Sequence, residues 1–285
     1  MAETLDELLS GPEILIVPGA YDALSARIAV QAGARAVYMT GFGVAGASFG
    51  LPDIGLVGVD RMAERVRALA GAVAPVPLIA DGDNGHGGPL NVMQLVHAYE
   101  QAGAQCIQIE DQVLPKRCGH MEGKEVVPLA EAAAKIRAAA DAREGRSFKI
   151  MARTDARATG GLDEALRRGE AFLEAGADML FIEAPRDEAE LVRVAGTFRG
   201  TVLVANLVED GKTPWLTPEA LGQMGYGIAL YPISALLAVA KTLEETYGRV
   251  LSGGADEPSA RVRFSEYNAI VGLPELLKAA ETYKS

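Results

Sequence analysis

The sequence is poor in the residues that define several protein classes. Its 285 residues include two cysteines, one tryptophan and three histidines, and aromatic residues make up 6% of the chain. Two cysteines at an unrelated spacing form neither a disulfide framework nor a zinc ribbon, which predicts a reducing, cytoplasmic setting. No apolar run approaches the roughly 18 residues of a spanning helix or a signal core. We therefore expect a cytoplasmic protein without a membrane partner.

Positive charge is also scarce. The formal net charge is −11, and no basic stripe exists that could release counterions from a nucleic acid. This balance argues against a nucleic-acid partner, and an anionic substrate would need local cations or a metal to reverse the field. Hydrophobic residues make up 49% of the chain, enough for a large aliphatic core.

Short aliphatic runs alternate with helical patterns along the chain, and each run ends in a polar or glycine-containing turn. Eight such runs predict an α/β fold, a (β/α)8 TIM barrel. A doubly wound open sheet is the alternative, but the turn after the first run lacks a glycine-rich dinucleotide fingerprint. The predicted strands are Ile14–Val17, Ala36–Thr40, Pro77–Ala80, Cys106–Ile109, Phe148–Ala152, Met179–Ile182, Val202–Ala205 and Ile228–Tyr231.

Glycines punctuate the predicted helix-to-strand joints. Gly33, Gly103 and Gly176 each stand between two alanines, and Gly225 repeats the pattern in shorter form. A left-handed glycine at such a joint ends a helix before the chain re-enters the sheet. We expect a catalytic barrel over residues 1–251, and a hinge with an apolar helical tail over 252–285. The tail needs a docking surface, either on its own barrel or on a neighbouring subunit.

Polar side chains follow the predicted strands at their carboxyl ends, where barrels of this kind carry their active sites. The candidates are Thr40, Gly41, Phe42, Asp81, Asp83, Glu110, Arg153, Glu183 and Asn206, with Asp53 from the loop after the second strand. No lysine directly follows a strand at this face, which argues against a Schiff-base aldolase.

Several of these candidates are carboxylates, and they cannot all stay ionised in a closed site without a compensating charge. Oxygen ligands without a histidine-rich cluster favour Mg²⁺ over Zn²⁺, with Mn²⁺ as the alternative ion. Asp81 and Asp83 are the strongest metal candidates, directly or through water, and Glu110, Asp53 and Glu183 support them. Such an ion could chelate a 2-hydroxy or 2-oxo acid, while backbone N–H groups at Thr40 to Phe42 and the guanidinium of Arg153 hold its carboxylate.

The run from Lys116 to His120 contains a candidate catalytic thiol. Cys118 lies between two cations and an imidazole, and these neighbours lower a thiol pKa and suit it to proton transfer near neutral pH. Cys106, inside a predicted strand, is expected to be a small core hydrophobe. We therefore predict catalytic roles for Cys118, His120 and Lys116.

These motifs together resemble the isocitrate lyase/phosphoenolpyruvate mutase superfamily. The chain is most similar to its short branch, which contains 2-methylisocitrate lyase, 2,3-dimethylmalate lyase and the petal death protein. The segments that carry the resemblance are Lys116-Arg117-Cys118-Gly119-His120, Gly50-Leu51-Pro52-Asp53, Asp81-Gly82-Asp83, Arg153-Thr154-Asp155 and Ala205-Asn206.

The resemblance implies a Mg²⁺-dependent carbon–carbon lyase that cleaves a 2-hydroxydicarboxylate to a 2-oxo acid such as pyruvate and a second carboxylic acid. It also implies that Cys118 protonates the departing enolate, that Tyr38 is the base, that Gly119 contacts substrate, and that the C-terminal helix is exchanged in a homodimer or homotetramer. Phe42 replaces a glycine of methylisocitrate lyases and narrows the pocket. The alternatives are a carboxyvinyl-carboxyphosphonate phosphorylmutase and an oxaloacetate hydrolase or decarboxylase.

Overall fold

The computed structural model describes residues 3–117, 123–145, 147–254 and 257–283. Their eight strands are parallel and close into one barrel in sequence order, with β1 paired to β8. The predicted α/β barrel is therefore confirmed. The strands are β1 Leu15–Ala20, β2 Val37–Met39, β3 Leu78–Asp81, β4 Cys106–Glu110, β5 Lys149–Thr154, β6 Met179–Ile182, β7 Val202–Asn206 and β8 Ile228–Tyr231.

Helices follow the strands and surround the barrel. In the described residues they are α1 Leu5–Leu9, α2 Ala23–Gln31, α3 Gly41–Phe49, α4 Val59–Val73, α5 Pro89–Ala102, α6 Leu129–Ala142, α7 Ala156–Gly160, α8 Leu162–Glu174, α9 Glu188–Thr197, α10 Pro218–Met224, α11 Ser234–Leu251, α12 Phe264–Ile270 and α13 Leu273–Glu281. A short 3-10 helix, Pro258–Ala260, lies between α11 and α12. None of the described helices combines the length and the apolar composition needed to cross a membrane.

Two apolar clusters explain why the strand runs are continuously aliphatic. Strand side chains that point inward form an inner cluster, closed at the amino-terminal end of the barrel by Leu5 and Leu8 of α1. Side chains that point outward pack against the helices in a larger cluster. Cys106 belongs to the inner cluster and is fully buried, and this burial raises the pKa of its thiol well above the usual value. The prediction that Cys106 is a core hydrophobe is confirmed.

The repeated glycines have the left-handed backbone that the pattern predicts. The φ angles of Gly33, Gly103, Gly176 and Gly225 are 100°, 98°, 104° and 107°. Each residue stands at or just past the end of a helix and redirects the chain into the next strand. The motif therefore sets the helix-to-strand joints of the barrel.

The C-terminal helices differ from the others in their packing. Helix α11 follows β8, yet it has no buried residue, and neither do α12 and α13. Many of their large apolar side chains are exposed, including Leu251 at 86% and Phe264 at 82%. Ile16, on the outward face of β1, is also 50% exposed. The outer face of β1 is thus only partly covered at Ile16.

Candidate active site

A cavity at the carboxyl ends of the strands brings most of the predicted site residues together. Those lining it are Tyr38, Thr40, Phe42, Asp53, Asp81, Glu110, Lys116, Arg153, Glu183 and Asn206. Gly41 and Asp83 line an adjoining small pocket that shares Asp53 with the cavity. Residues from strands and loops more than 160 positions apart thus meet at one end of the barrel, as the fold predicts.

The turn after β3 holds two carboxylates close together. Oδ1 of Asp81 accepts the Asp83 N–H at 3.0 Å, and Oδ2 accepts the Gly41 N–H at 3.1 Å. A Cβ atom at position 41 would lie 2.7 Å from Asp81 Oδ2 and 3.4 Å from Asp83 Oδ1, so this approach requires glycine. The Gly41 N–H therefore orients Asp81, which differs from the prediction that it holds a ligand carboxylate.

Lys116 extends into this acidic group from the loop after β4. Its Nζ atom lies 2.6 Å from Asp53 Oδ1 and 2.5 Å from Asp83 Oδ1, and its side chain is 3% exposed. Burial alone would lower the pKa of Lys116, but Asp83, Glu110, Asp53 and Asp81 outweigh it and hold that pKa well above its usual value. Lys116 is therefore a fixed cation inside the site.

Arg153 lies among three carboxylates at the end of β5. Its guanidinium donates to Asp155 at 3.0 and 3.2 Å, and it lies 3.3 Å from Glu110 and 3.3 Å from Glu183. The same group stacks 5.0 Å from the centre of the Phe181 ring. Burial disfavours its charge, yet these carboxylates keep the pKa of Arg153 well above its usual value. Arg153 thus supplies a permanent planar cation at the cavity wall.

A buried amide links Tyr38 to the metal candidates. The Tyr38 hydroxyl donates to Gln108 Oε1 at 2.7 Å, and Gln108 Nε2 donates to Asp81 Oδ1 at 3.3 Å. Burial, followed by the negative charge of Asp81, raises the pKa of Tyr38 well above its usual value. Tyr38 is therefore a neutral phenol here, and its proton is directed at Gln108.

The carboxylates outnumber the cations that face them, and their pKa values reflect this. Burial, followed by the charge of Asp83, raises the pKa of Asp81 to about 6. Burial also raises the pKa of Glu110 well above its usual value, although Arg153 and Lys116 oppose the shift. An additional cation in the site would therefore be electrostatically favourable.

Comparison with known proteins decides the family. The phosphoenolpyruvate phosphomutase family model matches residues 5–251. The chain is 44% identical over 284 residues to 2,3-dimethylmalate lyase of Eubacterium barkeri, covering 99% of this chain and 98% of the relative. It is 41% identical over 257 residues to 2-methylisocitrate lyase of Bacillus subtilis, covering 90% of this chain and 84% of the relative. The chain belongs to the isocitrate lyase/phosphoenolpyruvate mutase superfamily.

Solved structures of superfamily members have the same fold. Oxaloacetate acetylhydrolase in complex with 3,3-difluorooxalacetate superposes with a TM-score of 0.94 at 32% identity, covering 99% of this chain and 96% of the other. For 2,3-dimethylmalate lyase the TM-score is 0.90 at 34% identity, with coverage of 97% and 93%. A phosphonopyruvate hydrolase, solved with oxalate and Mg²⁺, has a TM-score of 0.85 at 32% identity, with coverage of 97% and 96%. The resemblance predicted from the motifs is confirmed.

The acidic group of this superfamily member fits a divalent cation. Glu110 Oε1 is buried and has no hydrogen-bond partner among the described residues. Among the described residues, no group of three or more histidine, cysteine, aspartate or glutamate side chains is arranged to hold a metal ion without other ligands. Mg²⁺ does not require one, because it keeps several waters and binds one or two carboxylates together with substrate oxygens. Asp81, Asp83 and Glu110 supply the hard oxygen atoms that it prefers.

The predicted residues Cys118, Gly119 and His120 lie outside the described residues, so their roles stay predictions. The chain on either side of them is described. The Gln112 side chain accepts the Arg117 N–H at 2.9 Å and donates to the Arg117 carbonyl at 2.8 Å. Gln112 also pairs with Val126 in an antiparallel bridge. These contacts fix the chain up to Arg117, which itself lines the cavity.

Sequence reasoning missed one wall of the cavity. This wall is formed by Phe181, Val208, Leu230, Pro232 and Ile233. Strand alternation could have identified Phe181, which is two residues before Glu183, and Val208, which is two residues after Asn206. Pro232 and Ile233 directly follow β8, the strand end for which the sequence offers no polar marker.

Proposed function

We propose that this chain is a Mg²⁺-dependent carbon–carbon lyase that cleaves a 2-hydroxydicarboxylate of the alkylmalate or methylisocitrate type into a 2-oxo acid such as pyruvate and a second carboxylic acid. The observation that carries the proposal is the Asp81 and Asp83 turn, which lies in one site with Lys116 and Arg153, in a chain whose relatives are named lyases. The 2-hydroxy or 2-oxo acid is its only proposed partner besides other copies of the chain.

The polar side of the cavity supports binding of the acid. Asp81, Asp83 and Glu110 are the proposed metal ligands, directly or through water, with Mn²⁺ as the alternative ion. The bound ion would supply charge that holds the hydroxyl and carboxylate oxygens of the substrate. Arg153 offers a planar donor pattern that matches a carboxylate. Further polar contacts to the ligand are proposed for Thr40, Asp53, Gly119, Glu183 and Asn206.

Cleavage needs one proton to leave the 2-hydroxyl group and one proton to reach the departing carbon. Tyr38 is the proposed acceptor of the first, which requires that it first lose its own phenol proton to solvent; added positive charge at Asp81 would lower its raised pKa and favour that tyrosinate form. The electron pair of the C2–C3 bond becomes the enolate of the departing acid. Cys118 is proposed to protonate this enolate, with Lys116 and His120 tuning the thiol. A free thiol in this role supports placement in the reducing cytoplasm.

The apolar wall supports a substrate with small alkyl groups. Val208, Leu230 and Ile233 face the same cavity as the charged residues, so one ligand can contact both. Phe42 lines the cavity as well and restricts the room for a third carboxylate. An alkylmalate such as 2,3-dimethylmalate matches this division better than a tricarboxylate, because burying an unpaired carboxylate against apolar side chains is unfavourable.

A pyruvate-release assay tests the proposal. The purified protein is incubated with Mg²⁺ and, separately, 2,3-dimethylmalate, other alkylmalates and 2-methylisocitrate, and pyruvate is measured with lactate dehydrogenase. We expect release that requires the metal and stops with EDTA, with an alkylmalate as the best substrate. The absence of pyruvate release from every acid in the panel would contradict the proposed lyase activity. Formation of a carbon–phosphorus bond, seen by ³¹P NMR with a carboxyphosphonate substrate, would instead support the phosphorylmutase.

A second candidate is oxaloacetate hydrolysis or decarboxylation. It is favoured by the likeness to oxaloacetate acetylhydrolase, whose TM-score is 0.94. Oxaloacetate presents the same pair of carboxylates and a 2-oxo group to the site. Metal-dependent consumption of oxaloacetate with formation of oxalate and acetate, in a protein that leaves alkylmalates intact, would support this activity in place of the lyase.

We also propose that the chain forms a homodimer or homotetramer in which the region 252–285, together with α11, docks on a neighbouring subunit. The exposed apolar side chains of α11 to α13 support this, as does the exposed Ile16 on β1. In a TIM barrel the last helix covers the outer face near β1 and β8. A helix from a second copy would cover Ile16 and bury its own apolar face.

Light scattering after size exclusion tests the assembly. We expect a dimer or tetramer for the wild type and a smaller species for Leu276→Glu combined with Leu277→Glu. Ile16→Glu, on the opposite side of the same contact, should have the same effect. Glu188→Lys, on the exposed start of α9, is the matched control. A monomeric wild type would contradict the proposed exchange.

A further inference from the structure

A buried lysine outside the predicted site pairs with the residue that holds Arg153. Lys124 Nζ lies 2.5 Å from Asp155 Oδ1, and the side chains are 1% and 0% exposed. The same Asp155 carboxylate accepts both the Nε–H and the Nη2–H of Arg153. Two cations from different segments therefore share one fully buried anion.

The charge balance around Arg153 gives Lys124 its importance. Asp155, Glu110 and Glu183 all lie against the single guanidinium of Arg153. Without a second cation, three negative charges would face the single positive charge of Arg153. The positive charge of Lys124 offsets the negative charge of Asp155. The Asp155 carboxylate can then orient Arg153 without cancelling the charge of the guanidinium. This leaves Arg153 positive toward the cavity.

A second set of contacts holds the backbone of Asp155. Asp111 accepts the Asp155 N–H at 2.9 Å and the Thr154 hydroxyl at 2.6 Å. Arg168 of α8 donates to the same Asp111 carboxylate at 3.0 Å. The Asp155 backbone is thus fixed by a hydrogen bond to the ion-paired Asp111 carboxylate, and its side chain is fixed by ion pairs with Lys124 and Arg153. This arrangement is expected around a side chain that must be held in one geometry.

We propose that Lys124 and Asp155 are positioning residues that hold the Arg153 guanidinium in the orientation that binds the carboxylate of the substrate. The inference rests on the proposed function for the identity of the substrate, but the pairing of Lys124, Asp155 and Arg153 does not depend on it. Lys124→Met should misplace Arg153, whereas Lys124→Arg keeps the charge and should restore most of its position.

Oxalate binding in the presence of Mg²⁺, measured by calorimetry, reads the position of Arg153 without turnover. Oxalate is a planar dianion that pairs with a guanidinium. We expect Lys124→Met and Asp155→Asn to weaken oxalate about 10-fold or more, and Lys124→Arg to stay within about 3-fold of the wild type, in line with the loss of a charge-assisted contact. Arg67→Met, at an exposed position of α4, is the matched control and should not change the affinity. Unchanged oxalate affinity in Lys124→Met would overturn the proposal.

A double-mutant cycle in urea unfolding provides a test that needs no ligand. Lys124→Met and Arg153→Met are measured singly and together, because both side chains pair with the Asp155 carboxylate. We expect the unfolding constant of the double variant to differ at least about 5-fold from the product of the single effects, and the coupling to vanish in an Asp155→Asn background. Additive effects would overturn the proposal.

The oxalate titration and the unfolding cycle distinguish a failure of the positioning role from a failure of the proposed function. If the wild type releases no pyruvate from any acid but binds oxalate and shows the coupling, the proposed function fails and the positioning pair stands. If it binds no oxalate, the unfolding cycle alone decides the role of Lys124. Active wild type with an additive cycle and unchanged oxalate binding in Lys124→Met would leave the lyase standing and remove the positioning role.

Discussion

Nζ of Lys116 lies 2.5 Å from Oδ1 of Asp83, in the acidic group proposed to bind the metal. The ammonium also contacts Asp53 at 2.6 Å, so it occupies a position between two carboxylates. A divalent cation bound there would therefore compete with Lys116 for some of the same negative charge, while both would contribute positive charge to an anionic substrate. Loss of the Lys116 ammonium should therefore change Mg²⁺ affinity and turnover in opposite directions.

Lys116→Met should bind Mg²⁺ more tightly and turn over more slowly. Removal of the ammonium frees the Asp83 carboxylate to bind the ion. The Mg²⁺ affinity should therefore rise about 10-fold, which is the change in an equilibrium constant that corresponds to one pKa unit. Turnover should fall about 100-fold, because a fixed cation near the reacting oxygens is lost. Calorimetry and pyruvate release measure the two effects, and Arg67→Met, at an exposed position of α4, serves as control. Weaker Mg²⁺ binding in Lys116→Met would contradict the competition.

The turn from Asp83 to Gly87 is strained and needs support. Asp83 and His86 are non-glycine residues with φ angles of 49° and 54°. Asn84 holds the turn through its side chain, which donates to the Gln112 carbonyl at 3.1 Å and accepts the His86 N–H at 3.1 Å. Lys135 of α6 donates to the Asn84 carbonyl at 3.2 Å. Left-handed conformations of such residues persist only where the surroundings impose them.

Asn84→Ala should therefore weaken Mg²⁺ binding about 10-fold, because Asp83 can relax to an ordinary conformation and move away from Asp81. Asn84→Asp, which keeps the acceptor for the His86 N–H, should lose less. Calorimetric titration with Mg²⁺ is the measurement, and the melting temperature shows whether the variant is folded. Equal Mg²⁺ affinities for Asn84→Ala and the wild type would show that the turn keeps its conformation without the Asn84 side chain.

The two cysteines should differ in reactivity. Burial raises the pKa of Cys106 well above its usual value, so the thiolate that alkylating agents attack is scarce there at pH 8. Native protein treated with iodoacetamide should carry one label, on Cys118, and Cys118→Ser should carry none. Peptide mass spectrometry locates the label. Labelling of Cys106 in folded protein would contradict its place in the inner core.

Phe42 should limit the size of the substrate. Phe42→Gly enlarges the cavity beside Thr40 and should raise kcat/KM for 2-methylisocitrate relative to 2,3-dimethylmalate by about 10-fold or more, within the range that a reshaped apolar contact provides. The two rates are compared in the same pyruvate assay. Leu90→Gly, a highly exposed position on α5, is the control. An unchanged ratio would mean that another residue sets the choice of substrate.

The fold could be predicted from sequence because each layer of the barrel has a local signal. Strand β8 was predicted with the bounds that the structure has, and β3 was displaced by one residue, since Asp81 ends a strand although it is charged. Parallel strands buried on both faces have aliphatic runs, and the glycines after α2, α5, α8 and α10 mark four of the returns to the sheet. The exposure of the apolar side chains of α11 had no such signal, because its apolar stripe resembles that of a helix that covers its own barrel.

The candidate site was predictable where the chemistry lies at a strand end. Asp81, Glu110, Arg153, Glu183 and Asn206 follow this rule. The ion pairs between loops were not predictable: Lys116 and Asp53 come from separate loops, and the sequence does not specify which carboxylate an ammonium will approach. Lys124 gave no signal for the same reason, although its burial against Asp155 is among the deepest charged contacts in the described residues.

The most direct test of the proposed lyase is ¹H NMR of 2,3-dimethylmalate incubated with the protein and Mg²⁺ in D₂O. Bond cleavage followed by proton transfer to the enolate predicts equal amounts of pyruvate and propionate, with one deuterium at C2 of the propionate, and no product after EDTA or with Cys118→Ser. An intact substrate in the presence of Mg²⁺, or products that form equally well after EDTA, would contradict the account.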